Sequence, residues 1–391
     1  AMQAFVDDRR VPNLVTLVAR RGQIVHQHAC GLLDLDDDAP AGLDTLFRMY
    51  SNTKPIAGAA TLVLYERGVL TPDDPVSKFL PEFADQRVQR ADEPMMTERA
   101  RRGISIRDCL TNTTGLANPG TMPHFYRQQY REALTTLGWI RSEEDGDAPR
   151  PNNRERVRAL AELPLAAQPG SRFGYHVGYP ILTAVLEEAS GQRLDEFFRE
   201  SIFEPLGMTD TDHYVADDAT HRFGANYAPR EVDGEIRLVA VEKAATSEKV
   251  VGPKTEFSAG GDMGGVLSTA GDYARFGQML LNGGELDGVR ILGRKTVDMM
   301  IGNHTGDMLI PMTGPGFHWG LGVAMYHGRG RAPLIRSVGS YGWGGAAGTT
   351  YFADPAEELI GVCLTQVLSA GMMPNNTYQE DFQRLVYHAL V

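Results

Sequence analysis

Cysteine is scarce in this 391-residue chain, with Cys30, Cys109 and Cys363 its whole complement. An odd count without Cys-x-x-Cys spacing builds no disulfide framework and fits inert buried thiols in a reducing compartment. Long apolar runs are missing too. The longest, around residues 56–65, is broken by Gly58 and Thr61 and falls short of the roughly 20 residues that span a bilayer. No membrane span is therefore expected. A basic start followed by an apolar stretch, the mark of a secretion signal, is absent, so the expected location is cytoplasmic. Positive charge is in deficit: 38 Lys+Arg stand against 50 Asp+Glu, a net charge of −12. Such a chain repels phosphate backbones, which argues against nucleic acid as a partner. No internal repeat occurs, and nothing in the sequence sets an oligomeric state. Ordinary proportions of hydrophobic (42%) and charged (23%) residues exclude a disordered chain.

Several familiar catalytic and binding signatures are also lacking. There is no His-Glu-x-x-His for a helical zinc site and no Gly-x-Ser-x-Gly nucleophile elbow. Gly288 and Gly293 have P-loop spacing, but Lys295 comes one place late. Gly342, Gly344 and Ala347 match part of a dinucleotide fingerprint, yet residues 349–352 read as strand where that motif must open a helix. His26 and His28 alternate on a strand without a third ligand. No metal and no cofactor are expected.

The patterning places sheet at both ends and helix between. Residues 15–20 and 24–29 flank Arg21-Gly22-Gln23 as a hairpin. Residues 55–67 are apolar around most of a helical circumference, which marks a buried helix, with Pro55 acceptable in its first turn. Helical patterns follow at 104–111, 154–163 and 180–189, the last stopped by Gly191. After residue 215 come helices at 273–281 and 295–301, strands at 319–326, 334–338, 348–352 and 359–365, and a closing helix at 378–389. The expected class is α/β, an antiparallel sheet flanked by helices with an inserted helical domain. Residues 1–70 and 215–391 would form the discontinuous sheet domain and 71–214 the helical one. Residues 118–153, aromatic at one end (Tyr126, Trp139) and charged at the other, are a candidate lid.

One constellation carries chemistry. Ser51-Asn52-Thr53-Lys54 stands at the start of the buried helix, and residues three apart share a helical face, so Lys54 can reach the Ser51 hydroxyl. Serine attacks only when a neighbour takes its proton, and a lysine desolvated beside an apolar helix is a candidate for that work. The helix N-terminus adds amide donors for an oxyanion. Downstream, Tyr175 and His176 sit in a loop before a helix. A lysine ammonium nearby would favour the Tyr175 phenolate as a general base. Further on, Tyr341-Gly342-Trp343-Gly344-Gly345-Ala346 leads into a strand, where glycines let a backbone approach a ligand closely. Each piece has a bland reading, as a helix cap, a core tyrosine and a glycine turn; their order along one chain makes the set informative.

Together these pieces resemble the serine β-lactamase and penicillin-binding-protein superfamily, most closely its class C-like branch of family VIII carboxylesterases. Leu110-Thr111-Asn112-Thr113-Thr114-Gly115-Leu116 is similar to a Leu-Thr-His-Thr-Ser-Gly-Leu loop of that family, with Asn in place of His and Thr in place of Ser. Gln168-Pro169-Gly170 and Leu267-Ser268-Thr269-Ala270 match as well, and the resemblance covers roughly residues 10 to 390. It implies a β-lactamase/transpeptidase-like fold, Ser51 as nucleophile, Lys54 and Tyr175 as a coupled base system, and backbone N–H groups of Ser51 and Ala346 as the oxyanion hole. Two departures bear on substrate. Trp343 stands where β-lactamases usually carry a lysine, and His176-Val177 follow Tyr175 where class C enzymes carry Ser or Ala and then Asn. Lost charge and amide contacts weaken β-lactam recognition. The expectation is a cofactor-free esterase for small uncharged esters of short to medium acyl length, able also to transfer the acyl group. Trp343, Gly344, Gly345, Tyr341, His176, Tyr126 and Trp139 are the expected substrate-binding residues. The alternatives are a β-lactamase, D-amino-acid amidase or D,D-peptidase on the same fold, and a penicillin sensor-like binding module.

Overall fold

The computed structural model describes residues 1–90, 92–93, 96–117, 153–252, 254, 257–261, 264–328 and 335–390. Its centre is a seven-stranded sheet assembled from both ends of the chain. The strands are β1 (Asn13–Arg20), β2 (Gln23–Gly31), β3 (Phe317–Trp319), β4 (Ala324–Tyr326), β5 (Tyr341–Gly344), β6 (Thr350–Asp354) and β7 (Leu359–Leu364). They lie in the order β3-β4-β5-β6-β7-β1-β2, every neighbour antiparallel. The β1–β2 hairpin turns at Arg21 and Gly22, both at positive φ, as a two-residue turn matched to strand twist requires.

Strand alternation sends one run of side chains into two cores. On β1, Val15, Leu17 and Ala19 face the main core, while Leu14 and Val18 face a second one. On β7, Ile360, Val362 and Leu364 divide from Leu359 and Cys363 in the same way. Helix α4 (Ala270–Leu281) packs on β1 and β7 from the main-core side, and α5 (Tyr378–His388) covers the other face of β7. Strands covered on both faces read as continuous apolar runs, which is why β7 is buried at every position.

The helix that carries the site is α1 (Thr53–Glu66), buried at every position from Thr53 to Leu64. It starts two residues before Pro55, where a proline lacking an N–H costs no helical bond. The short α2 (Ile106–Leu110) is held by a capping box between Ser105 and Asp108. Helix α3 (Gly178–Ser190) ends on Gly191 in the left-handed conformation and packs on both α1 and α2. The main core is continuous from Val15 through Leu110 and Leu186 to Leu364. Among the described residues no helix is long and apolar enough to cross a membrane.

Four sequence expectations change. The single strand at 319–326 is two, β3 and β4, because Gly322 at φ +98 folds the chain back between them. Residues 335–338 form no strand: Ile335 and Val338 are exposed, and the Ser337 amide donates to the Asp354 carboxylate at 3.0 Å where a ladder bond was expected. Residue 334 lies outside the described residues. Residues 341–344 are themselves strand β5, and the strand expected from residue 348 starts at Thr350, after a turn in which the Gly348 amide bonds Gly345 O at 3.0 Å. Finally, a separate hairpin, Asn226–Val232 with Glu235–Glu242, turns at Asp233-Gly234.

Candidate active site

Ser51 lies in a single 3-10 turn, Tyr50–Asn52, that runs directly into α1. The turn is tied down from three directions. The Met49 amide donates to Val266 O at 2.9 Å, beside the short ladder joining Phe47–Arg48 to Leu267–Ser268. The Thr53 hydroxyl donates to Tyr50 O at 2.7 Å and accepts from the Val266 amide at 3.1 Å. The buried Tyr273 hydroxyl of α4 donates to Asn52 O at 2.6 Å. Tyr50, immediately before the serine, has φ +45, an uncommon conformation for a non-glycine residue and one that functional sites favour.

Lys54 is fully buried in the first turn of α1. Its Nζ donates to Ser51 Oγ at 3.0 Å, lies 3.0 Å from His176 Nδ1 and donates to Gly260 O. The ammonium sits 4.8 Å from the ring centroids of both Tyr175 and Tyr179, where aromatic faces attract a cation. Tyr179, buried in α3, donates its hydroxyl to Leu110 O at 3.1 Å, and burial holds its phenol well above the ordinary value.

Tyr175 belongs to the loop entering α3, and Asn112 brackets it. Asn112 O accepts the Gly174 amide at 2.7 Å, and Asn112 Oδ1 accepts the His176 amide at 2.7 Å. Both Asn112 (φ +59) and His176 (φ +80) are left-handed. The Tyr175 hydroxyl accepts the Trp343 indole N–H at 2.7 Å. Around it stand Phe173, Trp319 and Trp343, with Trp319 edge-on to Trp343 at 4.5 Å and to Tyr175 at 6.0 Å. The Trp319 indole N–H is anchored on Leu110 O at 2.9 Å.

The glycine segment reaches the serine through Gly345. A side chain there would run into Met49 O, so only glycine lets the β5–β6 turn lie against the nucleophile turn. Thr349 locks the pair: its hydroxyl accepts from Asn52 Nδ2 at 3.1 Å and donates to Met49 O at 3.2 Å. Gly344 pairs with Thr350 on the sheet, and Ala346 is exposed in the turn that follows.

The structure thus brings together Ser51, Lys54, Tyr175, His176 and Trp343, with Gly345 against the turn that bears the serine. His176 contacts Lys54. Tyr341 goes elsewhere: it is buried in the main core, while Trp343 packs with Tyr175 and Trp319. Tyr126 and Trp139, and the candidate lid apart from Asn153, lie outside the described residues. Asn153 opens the helix Asn153–Ala161. His26 turns to the Thr16 hydroxyl at 3.0 Å, and no cluster of three or more metal-ligating side chains occurs among the described residues. Sequence reasoning missed Trp319, Gly260 and the bracketing role of Asn112. Only Asn112 had a visible signal, as one of two residues that depart from the family's loop.

The sequence model of the Beta-lactamase family matches residues 1–384. Esterase EstB of Burkholderia gladioli is 32% identical over 93% of this chain and 88% of its own length. EstCE1, described as a hydrolase with promiscuous acyltransferase activity, superposes with a TM-score of 0.78 at 26% identity, covering 99% of this chain and 96% of that one. Simvastatin synthase (LovD) from Aspergillus terreus shares the fold at 21% identity, with a TM-score of 0.77 over 99% of this chain and 96% of that one. A matched family across nearly the whole length, on a fold that gathers Ser51, Lys54 and Tyr175 at one place, gives the conclusion that this chain belongs to the beta-lactamase family.

Proposed function

We propose that the protein is a serine carboxylesterase that works through an acyl-enzyme. The observation that carries the reading is the Lys54 ammonium at 3.0 Å from Ser51 Oγ and 4.8 Å from the Tyr175 ring. Ser51 Oγ attacks the ester carbonyl carbon and its proton passes to the Lys54–Tyr175 pair. The carbonyl π electrons move onto oxygen, where the amides of Ser51 and Ala346 receive the charge. Collapse of the tetrahedral adduct breaks the bond to the alcohol oxygen, which leaves with the proton. Water then repeats the sequence on the acyl-enzyme and releases the acid. An alcohol in place of water gives acyl transfer, and the description of EstCE1 supports that second acceptor.

Trp343 supports an uncharged substrate. An indole occupies the place where a cation would meet the carboxylate of a β-lactam or peptide, and its only N–H is engaged by Tyr175. The aromatic wall of Phe173, Trp319 and Trp343 suits an apolar acyl or alcohol group. Relatives named as putative D-alanyl-D-alanine carboxypeptidases exist, at 26% identity in Escherichia coli, so the peptidase reading enters the test. Three buried free thiols suit a reducing, cytoplasmic compartment.

The test compares wild type and Ser51→Ala on p-nitrophenyl acetate, butyrate and octanoate, with nitrocefin and a D-alanyl-D-alanine peptide alongside. Ester turnover that the substitution abolishes, and that exceeds turnover of the other two, is the expected result. Faster turnover of nitrocefin or the peptide overturns the substrate assignment.

A further inference from the structure

His176 has no part in the scheme above, yet it makes one of the closest contacts to Lys54. We propose that His176 is a positioning residue: its Nδ1 fixes Lys54 against Ser51. The inference rests on the hydrolase reading for its mechanism and on the coordinates of the Lys54 surroundings for its geometry.

An ammonium has three protons to place. Ser51 Oγ and Gly260 O each accept one, and His176 Nδ1, 3.0 Å away, is set to accept the third in the tautomer that carries its proton on Nε2. The three acceptors come from three chain segments: the nucleophile turn, the loop at Gly260 and the loop that carries Tyr175. Lys54 is therefore fixed by tertiary contacts and not by its own helix. The imidazole is held at that spot against local preference. His176 has φ +80, where glycine or asparagine is at ease and histidine is uncommon, and the Asn112 bond to its amide keeps it there. The Gly260 segment packs against the ring, since a Cβ on Gly260 would lie 3.1 Å from His176 Cε1. A strained residue over-determined by its neighbours is characteristic of functional positions.

Two substitutions separate the imidazole from the backbone it sits on. His176→Gly removes the ring and suits φ +80, so it adds no backbone strain. His176→Asn keeps an acceptor one bond from Cγ, where Nδ1 stands, and tolerates the left-handed conformation. Two readouts are followed: kcat and KM on p-nitrophenyl butyrate, and the rate at which a fluorophosphonate labels Ser51, with thermal melting to verify folding. The expected result is a fall of roughly 10- to 100-fold in kcat and in labelling rate for His176→Gly, with KM little changed. His176→Asn recovers most of that loss. Folded variants with wild-type rates overturn the proposal, as does a His176→Asn as impaired as His176→Gly. Absence of ester turnover in wild type sinks the esterase reading alone, because the labelling rate still reports on how Lys54 prepares Ser51.

Discussion

The Trp343 indole N–H donates to the Tyr175 hydroxyl at 2.7 Å, joining strand β5 to the loop before α3. The bond fixes where the Tyr175 hydroxyl points. Trp343→Phe keeps most of the ring and deletes the donor. We expect kcat/KM on p-nitrophenyl butyrate to fall roughly 10-fold. An unchanged rate would mean that the bond has no part in catalysis.

Lys54 is fully buried, and its loss should affect activity far more than stability. Lys54→Met keeps the length of the side chain and removes the amine. Activity should drop by roughly 10²- to 10⁴-fold, the usual scale for losing a proton-transfer group. Stability should fall by only about 1–3 kcal/mol, because Gly260 O and His176 Nδ1 lose a donor. Urea unfolding beside steady-state kinetics checks both; a variant that no longer folds would point to a mainly structural lysine.

Gly345→Ala probes the seam between the glycine turn and the nucleophile turn. The added methyl meets Met49 O, a backbone atom that cannot swing aside. Either the β5–β6 turn or the turn bearing Ser51 must move, and displacements near 1 Å at such a seam cost on the order of 10²-fold in rate. A kcat loss of that size with a native circular dichroism spectrum is expected. Wild-type kcat would show that Ala346 need not be held against Ser51.

His213 links stability to pH at a distance from this chemistry. It is fully buried against Phe198 and Phe257, and burial, with the nearby Lys249 charge, lowers its pKa to about 3. An unfolded histidine binds its proton below about pH 6.5. Between those values the unfolded chain holds the extra proton, so this contribution to stability is whole above that upper value and is lost as pH falls. The slope is about 1.4 kcal/mol per pH unit from this one group. Urea unfolding at several pH values across that window should show it, and His213→Phe should remove its share. An unaltered slope in the variant would assign the acid sensitivity to other groups.

The candidate set Ser51, Lys54 and Tyr175 was legible because its members are local or ordered features. A three-residue spacing at a helix start and two short motifs survive in a linear reading, as do α1, the β1–β2 hairpin and β7, whose apolar patterns follow the periods of helix and strand. Short strands were less legible. Residues 341–344 gain strand character only from β4 and β6 on either side, and residues 335–338 lose it because nothing buries Ile335 or Val338.

The sequence by itself determined the family, the plan of sheet at both ends with helix between, and Ser51, Lys54 and Tyr175 as the candidate set, since each depends on residue type and near-neighbour spacing. Only the tertiary structure decided what surrounds them. Asn112 is 63 positions from Tyr175 and Trp319 is 144, and loop closure over such distances leaves no periodic trace in the sequence. The same holds for the partner of His176. A histidine in a loop could face solvent or substrate, and the crossing of α1 with the loop before α3 set it against Lys54. Spacing names the groups that can react; packing fixes the directions in which their protons point.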